Sequence, residues 1–412
     1  MIVVGGTYAE SVTVPAHHDD ASGSGMRAAS ALGPGAAALV TAIDDATADV
    51  AASAAAVLGV DRTIVERDQP VGFRYFTPVG DPSIDGPGAS HSRALAADDE
   101  TVLVFGMVEH GPREVRARRL VVDPQRPRDL VGLDLTGLSG DRLAIVANAR
   151  EAAALAGGAL PAAQAAVLLL SQADTVVVKD SARGCVVATR ESPDPVRIGP
   201  FPTPTVWPLG SGDVFAAAFA HALDDGADAV EAARTASAAA AWWCGTRTTV
   251  VPPSVLAGGS LKGLLPGVSD ELVPPDQAPK VYLAAPFFTL ADRWLVETCR
   301  SVLAGLGAHV FSPLHDVGPG GDEVAAPDLA GLDASDAVLA LLDGWDPGTV
   351  YETGWAHRSG LPVVGHINSP GHDGTKMLVG TGAEIHSDLS SALYRAVWAG
   401  QGNPLSPGRV DA

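Results

Sequence analysis

The sequence is poor in the residues that mark several protein classes. Only three cysteines occur in 412 residues (Cys185, Cys244 and Cys299), with no paired or metal-ligand spacing. That excludes a disulfide framework and suits a reducing, cytoplasmic setting. No His, Cys or acid spacing supports a structural metal. Positive charge is scarce: 27 Lys and Arg stand against 48 Asp and Glu, a formal net charge of -21. Such a balance excludes general nucleic-acid binding and attachment to anionic membranes, because a phosphate backbone demands a basic partner. A single nucleotide-sized ligand, which needs only a local pocket, stays open. Long apolar runs are also missing. The alanine-rich stretches are too short or too polar-flanked to span a bilayer, and Met1–Gly6 lacks the basic flank of a signal peptide.

What is present is core material, 47% hydrophobic residues, in a chain long enough for two or three domains. Short apolar runs at Ile2–Val4, Thr101–Val108, Leu120–Asp123, Leu143–Val146 and Thr175–Lys179 alternate with helical segments. That rhythm predicts a mainly parallel, doubly wound sheet. Phe73–Pro87, with Pro78, Gly80, Pro82 and Gly86, reads as irregular or as a small hairpin. Proline and glycine accumulate between Val251 and Pro279, and apolar strands resume at Lys280–Ala284. We therefore divide the chain into residues 1–266, a linker 267–279, and residues 280–412. In the last part Asp292–Leu306, Asp328–Asp336 and Ser387–Gly400 read as helices. His309–Ser312, Ala337–Leu342 and Pro362–Gly365 read as strands, His315–Pro327 as a glycine-rich loop, and the tail after Gly402 as frayed.

Two stretches carry chemistry. In Asp343–Ala356 (DGWDPGTVYETGWA) a loop follows the buried run Ala337–Leu342. In open α/β sheets ligands bind at the carboxyl ends of strands, so the loop presents Asp343, Asp346 and Glu352 to a small molecule. The plainer alternative makes Thr349 an N-cap and Glu352 its capping-box partner, with both aspartates solvated. In Val206–Leu223, Gly210, Ser211 and Gly212 precede Asp213 at a helix start. Backbone N–H groups at a glycine-rich helix N-terminus form an anion site. Asp213 either caps that helix or removes a proton from an attacking hydroxyl.

Three blocks of the last part, Tyr282–Phe288 (YLAAPFF), Asp328–Asp336 (DLAGLDASD) and Asp346–Ala356 (DPGTVYETGWA), occur in the order of the nucleoside 2-deoxyribosyltransferase family, which this part resembles. The resemblance implies a flavodoxin-like parallel-sheet domain in a homo-oligomer, without a cofactor. It also implies cleavage of an N-glycosidic bond through a covalent sugar ester. On it, Glu352 matches the nucleophile, Asp328 and Asp346 match acids that contact and protonate the base, and Tyr282 orients the nucleophile. The chemistry agrees: a carboxylate beneath an anomeric carbon traps an oxocarbenium-like state, and a protonated carboxyl donates to the leaving base. Phe287 and Phe288 stack on a base or belong to the core. Asp343 takes a supporting place. Arg293, Ser312, His315 and Gly318–Gly321 are candidate donors to a 5′-phosphate.

The first part resembles the PfkB (ribokinase-like) sugar kinases. The residues that carry this are Gly210-Ser-Gly-Asp213 with its small-residue helix, Asn148-Ala-Arg-Glu151, and the Lys179–Gly184 turn. The resemblance implies a doubly wound sheet, ATP and Mg²⁺ as cofactors, and Asp213 as the base. Gly210, Ser211 and Gly212 would cradle the transferring phosphate, with Asn148, Glu151 and Gly184 near the phosphates and Mg²⁺. Departures lie in the sugar half. Gly6 to Gly23 leaves little room for lid strands, so the lid reads as reduced. Glu10 stands near the place of a sugar-binding Asp, and Arg27 falls where the family has Asn. Three readings follow: a kinase for an unusual acceptor, a nucleotide-binding sensor without turnover, or a scaffold. The whole reads as a bifunctional nucleoside and sugar enzyme acting on small molecules.

Overall fold

The computed structural model describes residues 1–125, 133–275, 277–368 and 373–410. It separates into two compact units. The first comprises residues 1–180, 184–201 and 208–266; the second comprises 181–183, 202–207 and 267–412.

The first unit is built on a nine-stranded sheet. In chain order its strands are β1 (Ile2–Val4), β4 (Ala38–Ile43), β5 (Asp61–Glu66), β8 (Leu95–Phe105), β9 (Arg113–Asp123), β10 (Leu138–Asn148), β11 (Thr175–Lys179), β12 (Cys185–Thr189) and β13 (Val196–Ile198). The spatial order is β13-β12-β11-β10-β9-β8-β1-β4-β5, and every pairing is parallel except β11–β12 and β12–β13. Val102, Leu103, Val104 and Phe105 are all essentially inaccessible, as are Val176, Val177 and Val178. Strands covered on both faces must be continuously apolar rather than alternating, which is how these runs read. Each fully buried aliphatic side chain contributes about 1.5–3 kcal/mol. Helices α3 (Ala149–Leu155) and α4 (Ala162–Leu169) pack with Ile145, Val176 and Val186 in one cluster. Helices α1 (Gly23–Ala31), α5 (Ser211–Asp224) and α6 (Ala229–Thr246) present alanine and glycine faces, and α5 packs on β8 and β9. Helices α2 (Asp45–Leu58) and α7 (Pro253–Leu256) complete the unit.

A second, four-stranded sheet corrects one expectation. The segment between Gly6 and Gly23 holds two strands after all, β2 (Ala9–Val12) and β3 (His18–Ala21). They pair antiparallel, and β2 also pairs in parallel with β6 (Gly72–Tyr75), which forms an antiparallel hairpin with β7 (Ser83–Asp85). The strands are three or four residues long, so the lid is short, but it is present.

The second unit is a six-stranded, all-parallel sheet of order β15-β14-β16-β17-β18-β19. Its strands are β14 (Lys280–Ala284), β15 (His309–Phe311), β16 (Ala337–Leu341), β17 (Val363–His366), β18 (Glu384–His386) and β19 (Gly408–Val410). The helices are α8 (Leu290–Gly305), α9 (Pro313–Asp316), α10 (Ala325–Asp333), α11 (Pro347–Arg358), α12 (Lys376–Gly380) and α13 (Leu389–Gly400). The tail read as frayed supplies β19, paired with β18. That edge is held by a buried cluster: the Glu384 carboxylate accepts from Arg395 Nε (2.6 Å) and Nη2 (2.8 Å), His386 Nε2 (2.7 Å) and Ser406 N (2.8 Å).

Candidate active sites

In the second unit the carboxyl ends of β14 and β16 face the helices α10 and α11. Tyr282, fully buried on β14, stacks on Phe311 at 5.4 Å and donates its hydroxyl to Glu352 Oε1 at 2.7 Å. Glu352 lies in the second turn of α11. The capping-box reading of this residue fails. The N-cap is Asp346, whose Oδ2 accepts from Thr349 N (2.8 Å) and Oγ1 (3.0 Å), with Pro347 at the first helical position. Thr349 is therefore inside the helix, and Glu352 is left free of any capping role. Burial pushes the Glu352 carboxyl up to about 7; the Tyr282 hydrogen bond opposes this, and the negative charges of Asp328 and Asp346 add to it. Asp328, in the first turn of α10, is raised by burial, and its Oδ1 is buried without a hydrogen-bond partner among the described residues. Tyr282, Asp328 and the pair Asp346 and Glu352, from three separate stretches of the sequence, thus converge on one place, with one carboxyl poised to ionise near neutrality and another short of a partner.

The flanking candidates separate. Phe287 is half-buried and Phe288 is 72% exposed, their rings 5.3 Å apart. Asp343 accepts from the backbone N–H (3.0 Å) and side-chain amide (2.7 Å) of Asn368, just after β17. His315 spans Ser312 Oγ (3.0 Å) and Glu297 (2.7 Å), and Arg293 Nε donates to the Phe287 carbonyl (2.9 Å).

In the first unit Asp213 sits in the first turn of α5, 6% exposed. Gly210 caps the helix at φ 83°, a region that favours glycine. Space demands glycine too: a Cβ there would lie 2.4 Å from Arg27 Cδ and Nε. Ser211 N–H is spent on the Pro208 carbonyl at 3.0 Å. A Cβ on Gly212 would lie 3.3 Å from Lys179 Nζ, so this lysine borders the glycine turn. Lys179, at the end of β11, pairs with Asp123 Oδ2 at 2.6 Å. Asp123 ends β9 and is fully buried; its burial raises the carboxyl to about 7 although Lys179 pulls it down, and its Oδ1 has no partner among the described residues. Asn148 and Glu151 cap α3 reciprocally, each side chain accepting the other's N–H at 2.9 Å, and burial raises Glu151. Gly184 takes φ 79°, with a Cβ position 2.1 Å from the Ile198 carbonyl oxygen, so it shapes the β11–β12 turn.

The sugar-side departures turn out to be joined. Arg27 Nη1 donates to Asp213 Oδ2 at 2.5 Å, and Nη2 pairs with Glu10, which lies on the lid strand β2. Gln125 Nε2 donates to Asp213 Oδ1, also at 2.5 Å. Glu10, Arg27 and the Lys179–Gly184 turn stand out in the sequence, whereas Asp123 and Gln125 were not expected beside Asp213. A strand ending in Asp-Pro was the available signal for Asp123. Beside Gln125 lies a cavity of about 290 Å³, bounded by the ends of β8 and β9 and by the chain after β7. Below the lid, Tyr8 donates to Glu109 (2.6 Å), and Arg67 pairs with Glu109 and Asp44 in a closed, buried network.

Among the described residues no helix is long and apolar enough to cross a membrane, and no three His, Cys, Asp or Glu are grouped to hold a metal. Residues 122–254 match the family model of the pfkB family carbohydrate kinases, and residues 281–383 match that of nucleoside 2-deoxyribosyltransferase. No curated protein matches the chain. Similar solved structures include phosphofructokinase-2 from Escherichia coli in complex with substrates and products (16% identity, 62% of this chain and 98% of that one, TM-score 0.44). Ribokinase from Thermotoga maritima matches at 18% identity, 62% of this chain and 97% of that one, with a TM-score of 0.46. A Burkholderia thailandensis nucleoside kinase in complex with inosine matches at 14% identity, 60% of this chain and 90% of that one, TM-score 0.45. The chain is a fusion of a PfkB-type carbohydrate kinase segment with a nucleoside 2-deoxyribosyltransferase segment.

Proposed function

We propose that the chain is a two-activity enzyme of sugar and nucleoside metabolism, with residues 280–412 cleaving or exchanging the base of a nucleoside or nucleotide. The observation that carries this is the Tyr282–Glu352 hydrogen bond at 2.7 Å beside Asp328 and Asp346. Glu352 attacks the anomeric carbon as the C–N bond breaks, and the electron pair leaves with the base. Asp328, held toward its protonated form by burial, donates the proton the base needs. Asp346 combines helix capping with a place near the same carboxylate. Water or a second base then releases the sugar ester. Chromatography of base release from deoxyribo- and ribonucleosides and their 5′-phosphates tests this. Equal traces from wild type and Glu352→Ala would overturn it.

Residues 1–266 transfer phosphate to a hydroxyl with Asp213 as base. A kinase of this type implies ATP and a divalent metal. The residues present suit such a metal: magnesium is commonly held by one or two carboxylates plus water and substrate phosphates, and Asp123 and Glu151 supply two buried carboxyls, one with an unpaired oxygen. The metal would supply charge neutralisation at the phosphates. A second reading is favoured by the Arg27–Asp213 ion pair, which occupies the base. On that reading the unit binds ATP as a sensor without turnover. Phosphorylated product lost in Asp213→Asn supports the kinase; ATP binding that survives this substitution with no product from any acceptor supports the sensor.

A further inference from the structure

We propose that α10 is fastened at two points, Gly331 against the Phe311 ring and Asp333 on Trp355 and Ser359 of α11, and that these residues position Asp328 to protonate the departing base. The proposal rests on the glycosidic reading of Glu352 and Asp328 given above.

Asp328 cannot place itself, because its Oδ1 has no hydrogen-bond partner among the described residues. Its position is inherited from α10, and the start of that helix is loosely held. Val324 stands at the N-cap without a side-chain hydrogen bond, after a 3₁₀ turn at Asp322–Val324. A general acid must come within hydrogen-bond reach of the atom it protonates, and a displacement of about 1 Å costs about 100-fold in rate. The precision has to come from further along the helix.

The first fastening is steric. Gly331 follows Asp328 by three residues, so the two share a face of α10. A Cβ on Gly331 would lie 2.1 Å from Phe311 Cζ. Glycine is among the poorest helix formers, and Gly331 keeps ordinary helical backbone, so close approach rather than backbone freedom accounts for it. The ring it meets is itself held. Phe311 stacks on Tyr282 with the planes 13° apart, and Lys280 Nζ stands 5.1 Å from its centroid. Tyr282 in turn donates its hydroxyl to Glu352. The tip of one ring thus stops the helix that bears the acid, and its face supports the residue that holds the nucleophile.

The second fastening is polar. Asp333, the last residue of α10, accepts at Oδ1 from Trp355 Nε1 (2.8 Å) and Ser359 Oγ (3.0 Å). Glu352, Trp355 and Ser359 follow at i, i+3 and i+7, along one side of α11. The helix of the acid is tied to the stripe of α11 that carries the nucleophile. Asp333 is exposed, so its removal leaves the core of the unit intact.

In the step, the bond from the anomeric carbon to the base nitrogen breaks as a Glu352 oxygen bonds to that carbon. The electron pair goes to the base, and the proton of Asp328 follows it. A guanine methylated at N7 carries a positive charge that this pair neutralises, so it leaves without needing the proton. Misplacing Asp328 therefore slows an ordinary guanine nucleoside and spares its 7-methyl derivative, whereas general damage to the site slows both.

The test uses the full chain with guanosine, 2′-deoxyguanosine and their 7-methyl derivatives, base release being followed by chromatography. In Asp333→Ala the kcat for guanine release falls by about 10–100-fold, with 7-methylguanine release within about 3-fold of wild type. Asp333→Asn keeps a carbonyl oxygen for both donors and recovers most of the loss. Gly331→Ala repeats the split between substrates; should it not fold, the two Asp333 variants decide. In either folded alanine variant, equal losses on both substrates or no loss on either overturns the proposal, as does an asparagine variant no better than Asp333→Ala. If Glu352→Ala abolishes base release while Asp333→Ala behaves as wild type, the glycosidic reading stands and only the positioning role falls. If no nucleoside tried loses its base, or Glu352→Ala changes nothing, both fall.

Discussion

Replacing Glu352 by glutamine isolates the energetic cost of keeping a carboxyl in the second-unit site. Burial and two neighbouring acids raise this group from 4.5 to about 7. Between those values the native state binds a proton that the unfolded chain has released. Its contribution to stability is therefore complete below pH 4.5 and is lost as pH rises through 7. Across the accessible range from about pH 5.5 to about pH 8 the two pKa values correspond to a loss of about 2 kcal/mol. Partial exposure of the side chain makes this an upper figure. Glutamine keeps the carbonyl oxygen that Tyr282 donates to and cannot ionise. The variant should thus gain on wild type by about 2 kcal/mol over that pH range, about 4–8 °C in unfolding midpoint. Calorimetry of both proteins at the two pH values measures the difference, in which titrating groups not coupled to Glu352 cancel. A gap between variant and wild type that does not change with pH would refute the raised carboxyl, and with it the electrostatic argument for this site.

Other consequences follow from particular contacts. Tyr282→Phe removes the hydrogen bond that holds the Glu352 carboxyl down, so the ascending limb of the base-release pH profile should move above 7. The rate near neutral pH should fall by about 10–100-fold, the worth of one hydrogen bond to a charged group. Arg395→Met strands the buried Glu384 carboxylate, which hydrogen bonds hold down at about 2 against its burial. Denaturation near neutral pH should show a loss of about 3–5 kcal/mol. This group is depressed, so its stabilising contribution is present above 4.5 and fades as pH falls toward 2. Gly184→Ala forces a side chain into φ 79° and to within 2.1 Å of a carbonyl oxygen. It should cost at least about 1 kcal/mol in thermal unfolding, without changing the KM for ATP if Gly184 only shapes the turn.

Much of the sheet framework was legible because buried parallel strands are continuous apolar runs, as at Thr101–Phe105 and Ala337–Leu341. The lid strands were not, since His18-Asp19-Asp20-Ala21 has neither β-branched residues nor alternation, and only pairing with β2 makes it a strand. Strand β18 reads Glu-Ile-His, a fully buried triplet whose two polar residues make sense only once Arg395 is seen beside them. At the second-unit site the residue types were readable, but their division of labour was not. A Thr-x-x-Glu spacing suggested a capping box, while the fold starts the helix three residues earlier, at Asp346. At the first-unit site, Arg27 and Asp213 are 186 residues apart, so an ion pair between two separately noticed residues could not be read from either neighbourhood.

The central claim is that Glu352 carries the sugar covalently. Acid-quenched steady-state mixtures of the full chain with a deoxynucleoside, digested and weighed by mass spectrometry, test it directly. The account predicts a deoxyribosyl mass on the peptide containing Glu352, absent in Glu352→Gln, together with loss of base release in that variant. Base release that persists in Glu352→Gln, with no sugar-bearing peptide in either protein, would contradict it.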